Sequence, residues 1–88
     1  MQLELSTIES ARRRIADHVR VTPVVRWAPK EVDAKVTLKL ELLQIGGSFK
    51  ARGACNRLLA EPADRLARGV VTASGGNHGL GVAYAATR

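Results

Sequence analysis

Twice in this chain a short extended pattern runs into a glycine-rich turn and then a helical pattern, and that repeated order limits the folds open to it. The first instance joins Val36-Thr37-Leu38-Lys39-Leu40-Glu41 to Gly46-Gly47-Ser48-Phe49-Lys50 and a helical stretch ending near Ala60. Alternation of apolar and polar residues marks a strand, and paired glycines permit backbone turns that other residues cannot make. The second joins Val70-Val71-Thr72-Ala73 to Ser74-Gly75-Gly76-Asn77-His78-Gly79 and a helical stretch running to Arg88. Strands alternating with helices imply parallel pairing through right-handed crossovers. Parallel sheets need several strands and two covered faces. With 88 residues, two clear strands and a last helix that lacks a closing glycine, asparagine or proline, the expectation is a chain that stops inside a domain.

Other signals fill in the outline. Ser6 followed by Glu9 matches a capping box, which starts a helix near Thr7 with Ile8, Ala11, Ile15 and Val19 on one stripe. Thr22-Pro23 should end that helix, because the residue before proline is pushed out of the helical region. Val24 to Arg26 reads as a short extended piece. In the helix from Ser48 the inward side is Ala54, Leu58 and Leu59. Pro62 opens a further short helix through Arg68, stopped by Gly69. The last helix offers Leu80, Val82, Ala83 and Ala86 for burial.

Composition removes several classes of function. No apolar run approaches the roughly 20 residues that span a bilayer, and the N-terminus lacks the basic-then-apolar pattern of a secretory signal. Cys55 is the one cysteine, and nothing has the spacing of a zinc site. A cytoplasmic protein with no membrane partner and no metal is the default. The net charge of +6 raises the question of nucleic acid. The basic residues are dispersed, Arg12-Arg13-Arg14 would fan around a helix as a solvated face, and Trp27, Phe49 and Tyr84 alone could stack on bases. Nucleic acid is therefore not an expected partner.

The two turns carry complementary chemistry. Lys50 falls at the mouth of a helix, where the dipole disfavours an ammonium, and Arg52 nearby should push the same way. A partly neutral amine can form an imine with an aldehyde. The amides from Gly75 through His78 open the next helix, where exposed N–H groups favour an anion. Gly75 and Gly76 let a ligand approach the backbone, while Ser74 and Asn77 add a hydroxyl and an amide. Each turn alone could be structural. A primary amine and a ring of donors on consecutive strand ends suit an anionic, amino-acid-like ligand.

Taken in order, the run from Lys39 to Ala54 with Ser74-Gly75-Gly76-Asn77-His78-Gly79 downstream resembles the fold-type II pyridoxal-phosphate-dependent enzymes. It looks most like their threonine/serine dehydratase branch. Thr22-Pro23 also fits the opening of that family's first strand, and the resemblance covers roughly Ile8 to Ala86. Cysteine-synthesising members carry aspartate after the lysine; Ala51-Arg52-Gly53-Ala54 is similar instead to dehydratases and serine racemases. The resemblance implies an α/β, three-layer parallel-sheet fold of the tryptophan synthase β-like type, with residues 1–88 as its N-terminal portion. It implies pyridoxal 5'-phosphate as cofactor, a hydroxy amino acid as substrate and a homo-oligomeric parent.

It also implies roles. Lys50 would hold the cofactor as a Schiff base and remove the Cα proton during α,β-elimination to a 2-oxo acid and ammonia. Phe49 would pack beside the cofactor ring and Asn77 would hydrogen-bond its phenolic oxygen. Ser74, Gly75, Gly76, Asn77 and His78 would hold the substrate carboxylate. Racemases place a second serine where this chain has Gly75, which favours elimination over racemisation. The family's phosphate-clamping glycine loop and its partner for the pyridine nitrogen have no counterpart before Arg88, so the chain alone is expected to be inactive and to give no stable absorbance with the cofactor.

Two other readings remain. Gly75-Gly76-Asn77-His78-Gly79-Leu80-Gly81 resembles the nicotinamide-cofactor turn of short-chain dehydrogenases. Against that stand the many residues ahead of it and the absence of a lysine after Tyr84. A non-enzymatic remnant or interaction module is the third. His18 is expected to serve the C-terminal end of the first helix, Cys55 to be a small buried side chain, and Glu41 and Gln44 to be structural partners.

Overall fold

The computed structural model describes residues 2–88. Helix α1 (Leu5–Ile15) is followed by strands β1 (Val24–Trp27) and β2 (Val36–Lys39) and two single 3-10 turns, Glu41–Leu43 and Ile45–Gly47. Helices α2 (Lys50–Leu59), α3 (Ala63–Leu66) and α4 (Asn77–Ala86) complete the chain.

Helix α1 starts earlier than the capping box suggests. Glu4 takes the N-cap position, and its carbonyl accepts from the Thr7 and Ile8 amides at 3.1 and 3.3 Å. Ser6 turns its hydroxyl to the Glu4 carboxylate instead of capping an amide. The helix also ends well ahead of Pro23. The His18 amide turns back to the Ile15 carbonyl at 2.9 Å, and Gln44 clamps both backbone polar groups of Arg20. Ile15 is buried, but Ile8 stays half exposed.

The strand pairing differs from the expectation. β1 and β2 form a two-stranded antiparallel sheet with Val24 opposite Lys39 and Trp27 opposite Val36. Val70 to Ala73 has no partner among the described residues, and Val71 is fully exposed. A strand exists only through its ladder, and a parallel ladder needs a neighbour brought by a crossover; within these residues none arrives.

The core lies where α2 and α4 pack, joined by α1. Ile15, Ala54, Cys55 and Ala85 are its buried residues, with Val19, Leu58, Leu59, Val82 and Tyr84 around them. Small side chains let the two helices approach closely, so burial on α4 falls on Gly81 and Ala85. Leu80 is 57 % exposed, and Ala83 and Ala86 are also exposed, contrary to the expected inward side. The Tyr84 hydroxyl donates to the His18 carbonyl and ties α4 to the turn after α1. Cys55 is the small buried side chain expected, and burial pushes its thiol pKa up. Pro62 stands at the N-cap of α3, and Gly69, at φ 88°, turns the chain away after it.

Candidate active site

Gly46 and Gly47 adopt φ of 79° and 77°, the left-handed region where a side chain is strained. They fold the loop so that α2 begins at Lys50, whose amide donates to the Ser48 hydroxyl at 3.3 Å. The Lys50 ammonium nitrogen lies 5.3 Å from the centre of the Phe49 ring.

The opening of α4 lies against this point. A Cβ on Gly81 would stand 2.9 Å from the Lys50 carbonyl oxygen and 3.2 Å from the Ala51 nitrogen. Only a glycine lets the two backbones meet there. Two residues earlier, a Cβ on Gly79 would press on the Ser74 carbonyl at 3.2 Å. The Ser74 hydroxyl accepts from the Gly76 amide at 3.1 Å, which leaves its own hydrogen free to donate. The first-turn amides of a helix have no carbonyl one turn back to bond. Here the Leu80 amide bonds the Gly76 carbonyl, and the amides of Asn77 to Gly79 open the helix. Space beside Gly75 and Gly76 is open for at least 4 Å in the Cβ direction.

A cavity of about 320 Å³ lies between these elements, lined by Phe49, Lys50, Gly53, Ala54, Arg57, Leu58, His78 and Val82. Its volume falls in the lower part of the roughly 300–1,000 Å³ range of small-molecule sites. Of the residues singled out from the sequence, Phe49, Lys50 and His78 share this cavity. Ser74, Gly75, Gly76 and Asn77 form the exposed turn just ahead of His78 without lining it. Arg57 had no sequence signal, and Leu58 and Val82 were expected only as inward-facing residues; all three reach the cavity because α2 and α4 pack face to face. Pattern reading also assigned His78 only its amide. Its Nε2 lies 2.9 Å from the Thr72 hydroxyl, so the imidazole is held in place.

Arg52 is paired with Glu41. Its Nε and Nη2 donate to the two oxygens of Glu41 at 2.8 and 2.7 Å, so its charge is matched. Arg52 lines a different cavity, beneath α1, together with Ile15 and Val19. Glu41 and Gln44 are structural partners, as the sequence suggested. The Arg52 guanidinium holds the Glu41 carboxyl down from its usual 4.5 to about 2, with help from the Thr22 hydroxyl and Lys39. A carboxyl depressed in the fold stabilises above its unfolded pKa and loses that contribution as pH falls through the folded value. Because the pair is partly exposed, the contribution is about 1–3 kcal/mol. Acid unfolding followed by circular dichroism should lose this between pH 4.5 and about 2, and Glu41→Gln should remove that part of the pH dependence.

An amine and an aromatic face on one cavity, with His78 of the α4 opening also lining it, fit pyridoxal phosphate: an aldehyde for Lys50, a ring for Phe49 and anionic groups for the helix opening. Among the described residues no cluster of metal ligands occurs, and no helix is long and apolar enough to cross a membrane.

Comparison with known proteins agrees with this geometry. The family described as pyridoxal-phosphate dependent enzyme matches residues 15–88. A phenylserine dehydratase of Ralstonia pickettii is 49 % identical over 87 residues, covering 97 % of this chain and 27 % of that protein. The structure superposes on maize serine racemase with a TM-score of 0.84 at 39 % identity, covering 98 % of this chain and 28 % of the other. For a threonine deaminase from T.th. the TM-score is 0.83 at 39 % identity, with 97 % and 31 % covered. The chain thus spans between a quarter and a third of the length of these relatives, and it takes the corresponding part of their α/β fold. It belongs to the fold-type II family of pyridoxal-phosphate-dependent enzymes.

Proposed function

We propose that residues 1–88 contribute the N-terminal part, with the cofactor lysine and substrate-anchoring turn, of a dehydratase that converts a hydroxy amino acid to a 2-oxo acid and ammonia. The observation that carries the reading is the cavity shared by Lys50 and His78, the latter in the first turn of α4. When bound, pyridoxal phosphate supplies a conjugated sink for negative charge at the substrate Cα. Lys50 would hold it and, once released, take the Cα proton as general base. Phe49 would cover one face of the ring, and Asn77 would hydrogen-bond its phenolic oxygen. The amides of Gly75 to His78 and the Ser74 hydroxyl would hold the substrate carboxylate and fix which bond to Cα breaks. Gly75 follows Ser74, so no second hydroxyl is there to return a proton from the other face, and elimination is favoured over racemisation. A cytoplasmic, homo-oligomeric enzyme belongs to the same proposal.

The test is a hybrid enzyme. Residues 1–88 replace the matching segment of the Ralstonia pickettii phenylserine dehydratase, which supplies the remaining length. With serine, threonine or phenylserine, the hybrid should release a 2-oxo acid and ammonia in equal amounts. A folded hybrid that mainly inverts serine would favour the racemase reading. A folded hybrid that does neither would overturn the proposal.

A further inference from the structure

We infer that the fork between Arg52 and Glu41 is what turns Lys50 into its cavity; the inference rests on reading Lys50 as the cofactor lysine, but its test needs no cofactor. Residues two apart on a helix are separated by about 200° of rotation. Arg52 therefore faces away from Lys50, and pinning one sets the direction of the other.

The pin is rotationally specific. Arg52 bonds both oxygens of Glu41 through Nε and Nη2, and such a two-point fork fixes the planar group in angle as well as distance. Glu41 is itself immobilised. The Thr22 hydroxyl donates to it at 2.6 Å, and Lys39 lies 3.2 Å from the same oxygen. Thr22 is buried and accepts from Lys39 at 2.7 Å. Arg52 Nη2 also reaches the Arg20 carbonyl, which Gln44 holds at 2.9 Å.

The fork thus hangs from a frame made by the turn after α1, the end of β2 and the loop before α2. Between that frame and Lys50 lie Gly46 and Gly47, next to which nothing stands within 4 Å of a Cβ position. Those two glycines have no side chains to set the rotation of α2. On the opposite flank, Gly81 touches the Lys50 backbone and leaves no slack. Arg52 and Glu41 are positioning residues.

The test compares lysines within one molecule. The 88-residue chain is reductively methylated with formaldehyde and cyanoborohydride, and the rates at Lys50, Lys30 and Lys35 are read by peptide mass mapping. Lys30 and Lys35 are exposed, whereas Lys50 is half-buried, so Lys50 should react several-fold more slowly than either. In Arg52→Lys and Glu41→Gln that ratio should climb several-fold towards unity while helical circular dichroism is kept. Tyr84→Phe, which removes the tie to His18 elsewhere, should leave the ratio unchanged. The inference is overturned if Lys50 is not slower in the parent chain, or if its ratio is unmoved in the fork variants. It is equally overturned if Tyr84→Phe moves the ratio as far. Loss of helical signal in both fork variants would also sink it, making the pair a requirement for folding. A failure of cofactor capture in the hybrid enzyme would leave this ratio readable, so the two ideas fail separately.

Discussion

Replacing Lys50 by alanine in the hybrid enzyme should lower turnover by about 10²–10⁴-fold, the usual worth of a positioned general base, with the loss in kcat. On the proposed reading two tasks would be lost at once, covalent attachment of the cofactor and transfer of the Cα proton. Added small amines should restore part of the rate, since they can enter the cavity that the lysine vacates. Arginine at the same position keeps charge and length but cannot form an imine, so it should be as inactive as alanine. If Lys50→Arg keeps most of the parent turnover, the lysine is a surface charge beside the site. An equal loss from Lys39→Ala would not be diagnostic, because Lys39 belongs to the Glu41 frame. Lys30 and Lys35 are the proper controls, being exposed, and alanine at either should leave kcat unchanged.

Gly81→Ala should destabilise the chain, although alanine in a helix interior normally gains about 1 kcal/mol over glycine. The position is buried, and the added methyl would meet the backbone of Lys50 and Ala51, with the nearest atom at 2.9 Å. Backbone atoms in a helix start cannot step aside as a side-chain tip can. Overpacking of this kind costs about 1–3 kcal/mol, occasionally more, which outweighs the propensity gain. The same change should separate α4 from α2 and widen the spacing of His78 and Lys50 around the cavity. Denaturant melts of Gly81→Ala beside Gly53→Ala make the comparison, because nothing lies within 4 Å of a Cβ at Gly53. Gly53→Ala should gain stability from propensity alone; a gain of the same size at Gly81 would refute the close approach.

Local chemistry was legible where one residue type decides the geometry. The Gly46-Gly47 pair, Pro62 ahead of α3 and Gly69 after it all stand where the sequence places them, because positive φ and a missing N–H act without help from the rest of the chain. The position of Lys50 at the start of α2 and the burial of Cys55 were legible from the helical pattern around them. What stayed hidden depends on packing. The contact of Gly81 with Lys50 and the turn of Arg52 onto Glu41 each join segments whose meeting no local pattern encodes. The inward face of α4 was misread at Leu80 because the helix packs through its smallest residues, whereas pattern reading looks for its largest. The sheet was misread for a related reason. Period two identifies Val36–Lys39 as a strand but not its neighbour, and the neighbour is the antiparallel Val24–Trp27.

One labelling measurement bears most directly on the placement of Lys50 and the α4 opening around a single cofactor. The hybrid enzyme is incubated with stoichiometric pyridoxal phosphate, reduced with borohydride and digested. The phosphopyridoxyl group should appear on the peptide containing Lys50 at close to one per chain, and Gly81→Ala should diminish it. Label spread over Lys30, Lys35 and Lys39, or absent from Lys50 in a folded hybrid, would contradict that placement.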